Sequence, residues 1–138
     1  MIKWQDESGM FYQVINYPGE EGNYLETSGS ALFAYAVLKG VRLEVLPERY
    51  SEYGVRAFEG IMDKYLTIEE NGDDVKIGLG GICMVAGLGG KTRRDGTRPY
   101  YYSEPVVEND AKGIGPFVLA YTEMRRRKTY GLQDIGHL

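Results

Sequence analysis

Cysteine and histidine are nearly absent from this chain. Cys83 is its single cysteine and His137 its single histidine. One thiol cannot close an internal disulfide, and one thiol with one imidazole cannot supply the four ligands of a structural zinc site. Neither metal nor cofactor is expected, and Cys83 reads as a buried, inert thiol. Basic charge is also short, since 16 Lys and Arg face 20 Asp and Glu for a net charge of −4. Such a chain lacks the broad positive field that phosphate backbones require, so nucleic acid is not an expected partner. Its one dense basic run, Arg125 to Arg127, reads as the solvated C-terminal end of a helix, where cations favour the dipole. No stretch approaches the 18 or so uninterrupted apolar residues of a membrane helix, and the opening MIKWQDESGM holds no apolar signal core. The expectation is a soluble, cytoplasmic protein without membrane contact.

Glycine, by contrast, is abundant, at 19 of 138 residues, about twice the usual share of roughly 7%. It clusters without a fixed period, so long shaped loops are expected rather than repeats. At this length, residues 1–138 read as a single domain.

The run from Gly29 to Leu38 carries no charge on any side of a helical wheel. Thr27 or Ser28 can cap its start, and Gly40 is placed to stop it after Lys39. Pro47 then suits the first turn of a second helix reaching about Tyr65. Tyr50, Tyr53, Val55, Ala57, Phe58, Ile61, Met62 and Tyr65 make one apolar stripe of it, with charges largely elsewhere. A helix apolar all round followed by an amphipathic one is the product of a two-layer helical ring, whose inner helices touch neighbours on every side. LTIEENGDDVKIGL reads as a β-hairpin turning near Asn71 and Gly72. A long connection from Gly78 to Gly115 follows, of the kind that is functional or carries small elements of its own. The last helix is predicted to start near Pro116 and to end in the basic run, with the tail GLQDIGHL loosely held. The fold class is therefore all-α, a two-layer helical toroid with a small β-hairpin and long glycine-rich loops.

In antiparallel helix pairs every inner helix starts at the same end, so the loops before the two apolar helices should share a rim. The first holds Asn23, Tyr24, Glu26, Thr27 and Ser28; the second holds Glu104, Asn109, Asp110 and Lys112, near Tyr100, Tyr101 and Tyr102. Carboxylates, hydroxyls and amides interleaved with aromatic rings suit sugars, which offer paired donors and acceptors and an apolar face. Glu26, Thr27, Ser28, Glu104, Asn109, Asp110 and Lys112 are thus candidate substrate-binding residues for an oligosaccharide. Each has a plainer role open to it: helix capping for Thr27 and Ser28, dipole pairing for Glu26, turn formation for Asn109 and Asp110. Glu104 and Asp110 could also serve as general acid and base, though spacing alone fixes no distance. The two GLGG runs, Gly78 to Gly81 and Gly87 to Gly90, lack the Lys-Ser/Thr of a phosphate-binding loop on a helix, and nucleotide binding is not expected.

Taken together, GNYLETSGSALFAYAVLKGVR, GGICMVAGLGG, RDG and YYYSEPVVENDAKGIGPFVLAY resemble the C-terminal part of glycoside hydrolase family 105, the unsaturated rhamnogalacturonyl hydrolases. The resemblance runs from about Gly9 to Met124, and SEPVVENDAKGIGPF is its most specific part. It implies that the toroid is a partial (α/α)6 one, the last helix pairs of a barrel that hydrates the double bond of an unsaturated uronyl residue, acting through an aspartate in the N-terminal half. No position here corresponds to that aspartate, so the catalytic residues are unknown and this chain alone is expected to be inactive. A ring lacking its other helix pairs would expose on the order of several hundred Å² of apolar helix flank. Self-association, or completion by a missing N-terminal portion, is expected to cover it. A noncatalytic carbohydrate-binding module and a site formed across subunits are the rival readings.

Overall fold

The computed structural model describes residues 1–91 and 94–131, with the side chains of 128–131 left aside. Its elements in chain order are α1 (Thr27–Arg42), α2 (Ser51–Tyr65), β1 (Leu66–Asn71), β2 (Asp74–Leu79), β3 (Ile82–Cys83), α3 (Arg98–Ser103), β4 (Val106–Val107) and α4 (Ala111–Gly131). Short 3-10 turns at Ile2–Trp4 and Glu48–Tyr50 precede α1 and α2. The chain is helix-rich, but it is not all-α among the described residues: it adds two antiparallel two-stranded sheets, β1-β2 and β3-β4.

Two ends fix the direction of α4 relative to α1. At their starts both helices meet residues 79–83, with Thr27 N–H donating to Gly81 O (2.8 Å) and Asn109 N–H donating to Leu79 O (2.9 Å). Toward their ends Arg42 Nε reaches Glu123 Oε2 at 2.6 Å. The two helices therefore run parallel. α2 runs the other way, since Gly54 near its start meets Leu38 near the end of α1 while Tyr65 at its end donates to Leu25 O (3.0 Å).

The core forms two connected clusters. Met10, Leu25, Ala31, Ile61, Leu79 and Ile82 fill the end where α1 and α4 begin. Ala34, Leu38, Ala57, Phe58, Ala120 and Met124 fill the far end. Phe117 packs against both, and its ring stacks on Phe58 at 5.1 Å.

The predicted boundaries shift in ways the contacts explain. Helix α1 starts at Thr27 as predicted but passes Gly40 and ends at Arg42; the left-handed residue beyond it is Glu44 (φ 58). Gly40 stays helical because Leu46 folds back on it, and a Cβ there would stand 2.9 Å from Leu46 Cδ1. Nor is α1 covered all round. Thr27, Ser30, Ala31, Ala34 and Leu38 are buried, but Leu32 is 52% exposed and Ala36 is exposed as well, because the main helix neighbours of α1 among the described residues are α2 and α4. Helix α2 follows a 3-10 lead-in after Pro47. Helix α4 begins at Ala111, five residues before the predicted start, and carries Pro116 inside its second turn. The hairpin forms as read, with Asn71 paired to Asp74 and Gly72 (φ 64) first in its two-residue loop. The tail prediction for residues 132–138 lies outside the described residues.

Close backbone approach accounts for Gly60, where an added Cβ would lie 2.1 Å from Ser8 O. In an open helix Gly→Ala gains about 1 kcal/mol. Here Gly60→Ala should instead lose about 1–3 kcal/mol, because the N-terminal segment must move off α2. A lowered urea midpoint at unchanged slope checks the sign.

Glu123 is 2% exposed and accepts from both Arg42 and Arg126. The Arg42 hydrogen bond, against the opposing effect of desolvation, holds its carboxyl below the usual range. A depressed folded-state pKa contributes stability above the unfolded value of about 4.3, and that contribution is lost as pH falls through the folded value. Glu123→Gln should cost about 1–3 kcal/mol near neutrality and flatten the acid limb of stability against pH, as read by thermal melts between neutral and acidic buffers.

Candidate functional site

Glu26 is the centre of the rim. It is 5% exposed, precedes α1 with extended backbone, and accepts three hydrogen bonds: from Gly29 N–H (2.6 Å), Ser28 Oγ–H (2.8 Å) and Cys83 N–H (3.1 Å). A buried carboxylate is tolerated because donors replace its lost hydration, and the positive end of α1 adds to them. The helix cap is therefore Glu26, one residue before the predicted Thr27 and two before the predicted Ser28. Thr27 is fully buried and its hydroxyl donates to Gly80 O (2.7 Å). Ser28 is half-buried with its hydroxyl turned to Glu26.

The second helix start is built from different atoms. Asn109 takes a left-handed backbone (φ 58), and its side-chain Oδ1 accepts from Leu79 N–H (2.8 Å) while its own N–H returns to Leu79 O. Asp110 Oδ1 accepts from Lys112 N–H (2.9 Å) and Lys112 Nζ (2.6 Å), and Lys112 is foremost among the groups that hold its carboxyl below the usual range. The Asp110 carbonyl accepts from Gly113 and Ile114 N–H.

Residues 78–83 join the two starts, and their glycines are packing devices. A Cβ on Gly81 (φ 68) would stand 2.4 Å from the Tyr65 ring, and one on Gly78 would stand 2.2 Å from Glu108 Oε1. The first GLGG run is thus occupied by protein. Thr27, Asn109 and their neighbours come to one rim across this strip. Glu104 stands farther along the chain, in the connection between α3 and β4, where Arg94 Nε lies 3.6 Å from its Oε1.

Several participants carry no local sequence signal. Tyr65, at the end of α2, closes the rim from below, and burial together with the Glu26 charge pushes its phenol up. Tyr24 is pushed up chiefly by burial and next by the neighbouring Cys83 thiol; its buried hydroxyl has no hydrogen-bond partner among the described residues. Cys83 Sγ accepts from Gln13 Nε2 (3.4 Å) and donates to Val85 O (3.2 Å). Glu20 bridges Arg98 and the Tyr102 hydroxyl, both at 2.5 Å, which ties the loop before Asn23 to α3. Desolvation, followed by that hydrogen bond, pushes Tyr102 up to about 12. The one signal available for Tyr24, Tyr100 and Tyr102 was their interleaving with carboxylates. Among the described residues, no group of three His, Cys, Asp or Glu side chains is placed to hold a metal ion, and no helix is long and apolar enough to cross a membrane.

Protein Atu3128 of Agrobacterium fabrum (strain C58 / ATCC 33970) is 43% identical over 129 residues, covering 89% of this chain and 54% of the relative. The chain spans about half the length of the curated relatives it matches. A C. acetobutylicum ATCC 824 glycoside hydrolase from family 105 superposes with a TM-score of 0.81 at 48% identity, over 91% of this chain and 34% of that one. A possible family 105 member from Klebsiella pneumoniae subsp. pneumoniae MGH 78578 gives 0.71 at 25% identity, over 92% and 29%. The resemblance to family 105 read from the sequence is thereby borne out. The model of Glycosyl Hydrolase Family 88 matches residues 1–128, and to that family the chain belongs.

Proposed function

We propose that this chain is the C-terminal part of a cytoplasmic glycoside hydrolase that acts on unsaturated uronyl disaccharides released from rhamnogalacturonan in pectin degradation, by hydration of the 4,5 double bond. The observation that carries the reading is the shared rim: two parallel helices begin side by side at residues 78–83, under polar side chains of the types that bind sugars. Ser28, half-buried, offers a hydroxyl oxygen at the rim, and Lys112, exposed, offers a cation for the uronate carboxylate. Glu26 and Thr27 act behind them, since they are buried and their polar atoms are engaged with the backbone that shapes the rim, and the exposed Asn109 has its Oδ1 held by Leu79 N–H. Asp110 positions Lys112. The general acid and base belongs to a part of the barrel that this chain does not contain, so on its own the chain binds without turnover.

A noncatalytic binding role for a self-associating chain is the second reading. It is favoured by the open apolar flanks, where Leu32 on α1 and Val118, Leu119 and Tyr121 on α4 are each 43–52% exposed.

Incubation of the chain with an unsaturated rhamnogalacturonan disaccharide, followed through the ultraviolet absorbance of the double bond, should show no loss of signal at stoichiometric protein. First-order decay would refute the assignment of catalysis to another part of the barrel. Calorimetric titration with the same disaccharide should show binding that Ser28→Ala and Lys112→Ala each weaken about two- to tenfold, Lys112→Ala without changing the melting temperature and Ser28→Ala with some lowering of it, because the buried Glu26 loses a donor. Glu26→Gln should act differently, lowering stability by about 1–3 kcal/mol because an amide cannot accept all three donors.

A further inference from the structure

The tip of the β1-β2 hairpin carries a chemistry separate from the rim. Four asparagines, Asn16, Asn23, Asn71 and Asn109, occur in the chain, and the structure sorts them. Asn23 is pinned, its Oδ1 accepting from Val14 N–H (3.1 Å) and its Nδ2 donating to Val14 O (2.9 Å) and Tyr17 O (2.7 Å). Asn109 is pinned by Leu79 N–H and Glu108. Asn16 and Asn71 are exposed, and their side chains take no hydrogen bond among the described residues. The residue that follows separates these two. After Asn16 comes Tyr17, whose N–H is committed to Val14 O (3.2 Å) and whose ring is held under Arg98 at 4.1 Å. After Asn71 comes Gly72, which has no Cβ to shield its nitrogen. Its N–H lies outside the ladder, which ends at the Asn71–Asp74 pair, in a two-residue loop where Gly72 has φ 64. Every residue from Thr67 to Ile77 is exposed. A two-stranded hairpin surrounded by water is marginal by itself, so its tip opens readily and lets the Asn71 amide swing onto the Gly72 nitrogen.

We propose that Asn71 is a site of spontaneous deamidation in the folded chain, through a cyclic imide formed with Gly72. The Gly72 nitrogen loses its proton to solvent base and attacks Asn71 Cγ; the Cγ–Nδ2 bond breaks and the side-chain nitrogen leaves as ammonia. Water then opens the ring, so the net change is water in and ammonia out. Opening at Cγ yields aspartate, whereas opening at the main-chain carbonyl yields isoaspartate, which routes the backbone through the side chain. Either product adds a carboxylate to a tip that already carries Glu69, Glu70, Asp73 and Asp74. Isoaspartate also lengthens the backbone at the end of β1, which disturbs the Asn71–Asp74 and Glu70–Val75 pairs. Incubation of the full chain in mildly alkaline buffer, followed by peptide mapping with fragmentation, tests this. The peptide carrying Asn71 should gain about 1 Da and resolve into two products, while Asn16, Asn23 and Asn109 stay intact. Asn71→Gln should abolish the early release of ammonia. An Asn71 that stays intact in the folded chain, or converts only once the chain is unfolded in urea, overturns the proposal. Equal conversion of Asn16 overturns it as well, because the Tyr17 contacts would then protect nothing.

Discussion

The carboxylate of Glu26 is the interaction on which the rim depends. It is buried, and its oxygens are met by Gly29 N–H, Ser28 Oγ–H and Cys83 N–H. One side chain thereby does two things that are usually separate: it caps α1 and pins β3 to the start of that helix. The Glu26 backbone is engaged as well, its N–H donating to Phe11 O and its carbonyl accepting from Ser30 Oγ–H, whose oxygen in turn accepts from Phe11 N–H. Residues 11, 26, 30 and 83, from three separate parts of the chain, are locked into one polar knot surrounded by Met10, Leu25, Ile61 and Ile82. Burial strengthens each of these hydrogen bonds and makes the loss of any one costly.

Parallel neighbours such as α1 and α4 bring like ends of two helix dipoles together, which is unfavourable at both ends. The charges are arranged against this. Glu26 and Asp110 stand at the two starts, while Lys39 and Arg42 occupy the last turn of α1. Glu123, buried on α4, then takes Arg42 across the helix pair and Arg126 along its own helix. The helix pair is held by a carboxylate knot at the rim and a carboxylate clasp at the far end, with the stacked Phe58 and Phe117 rings between.

How much of this the sequence discloses depends on the range of the interaction. The hairpin was legible because Asn71-Gly72 acts within four residues, and the alternation on either side acts within a strand. Helix α2 was legible because amphipathic spacing is local. The cap was misplaced by one residue because Glu26, Thr27 and Ser28 can all reach a free amide, and only the buried position of Cys83 N–H decides among them. Gly40 was read as a stop because glycine ends helices, whereas here its missing side chain makes room for Leu46. The start of α4 was misread because Pro116 is a stronger local signal than the Asp110 turn that begins the helix. The Arg42 to Glu123 pair spans 81 positions and leaves no local trace. The shared rim could be inferred, since antiparallel pairing forces alternate helices to begin at one end.

The division of labour among the rim residues follows from the same accounting of donors and acceptors. A helix start offers unpaired N–H groups, and an anion can be held there directly. In this chain those groups are claimed by the protein: Glu26 takes Gly29 N–H, Thr27 N–H goes to Gly81, and Asp110 receives Lys112, Gly113 and Ile114 N–H through its side chain and carbonyl. Under the proposed function, a sugar at the rim meets these N–H groups already engaged, and its recognition rests on the Ser28 hydroxyl oxygen and the Lys112 ammonium. Glu26 and Asp110, the acids at the two helix starts, are in this way built into the rim itself.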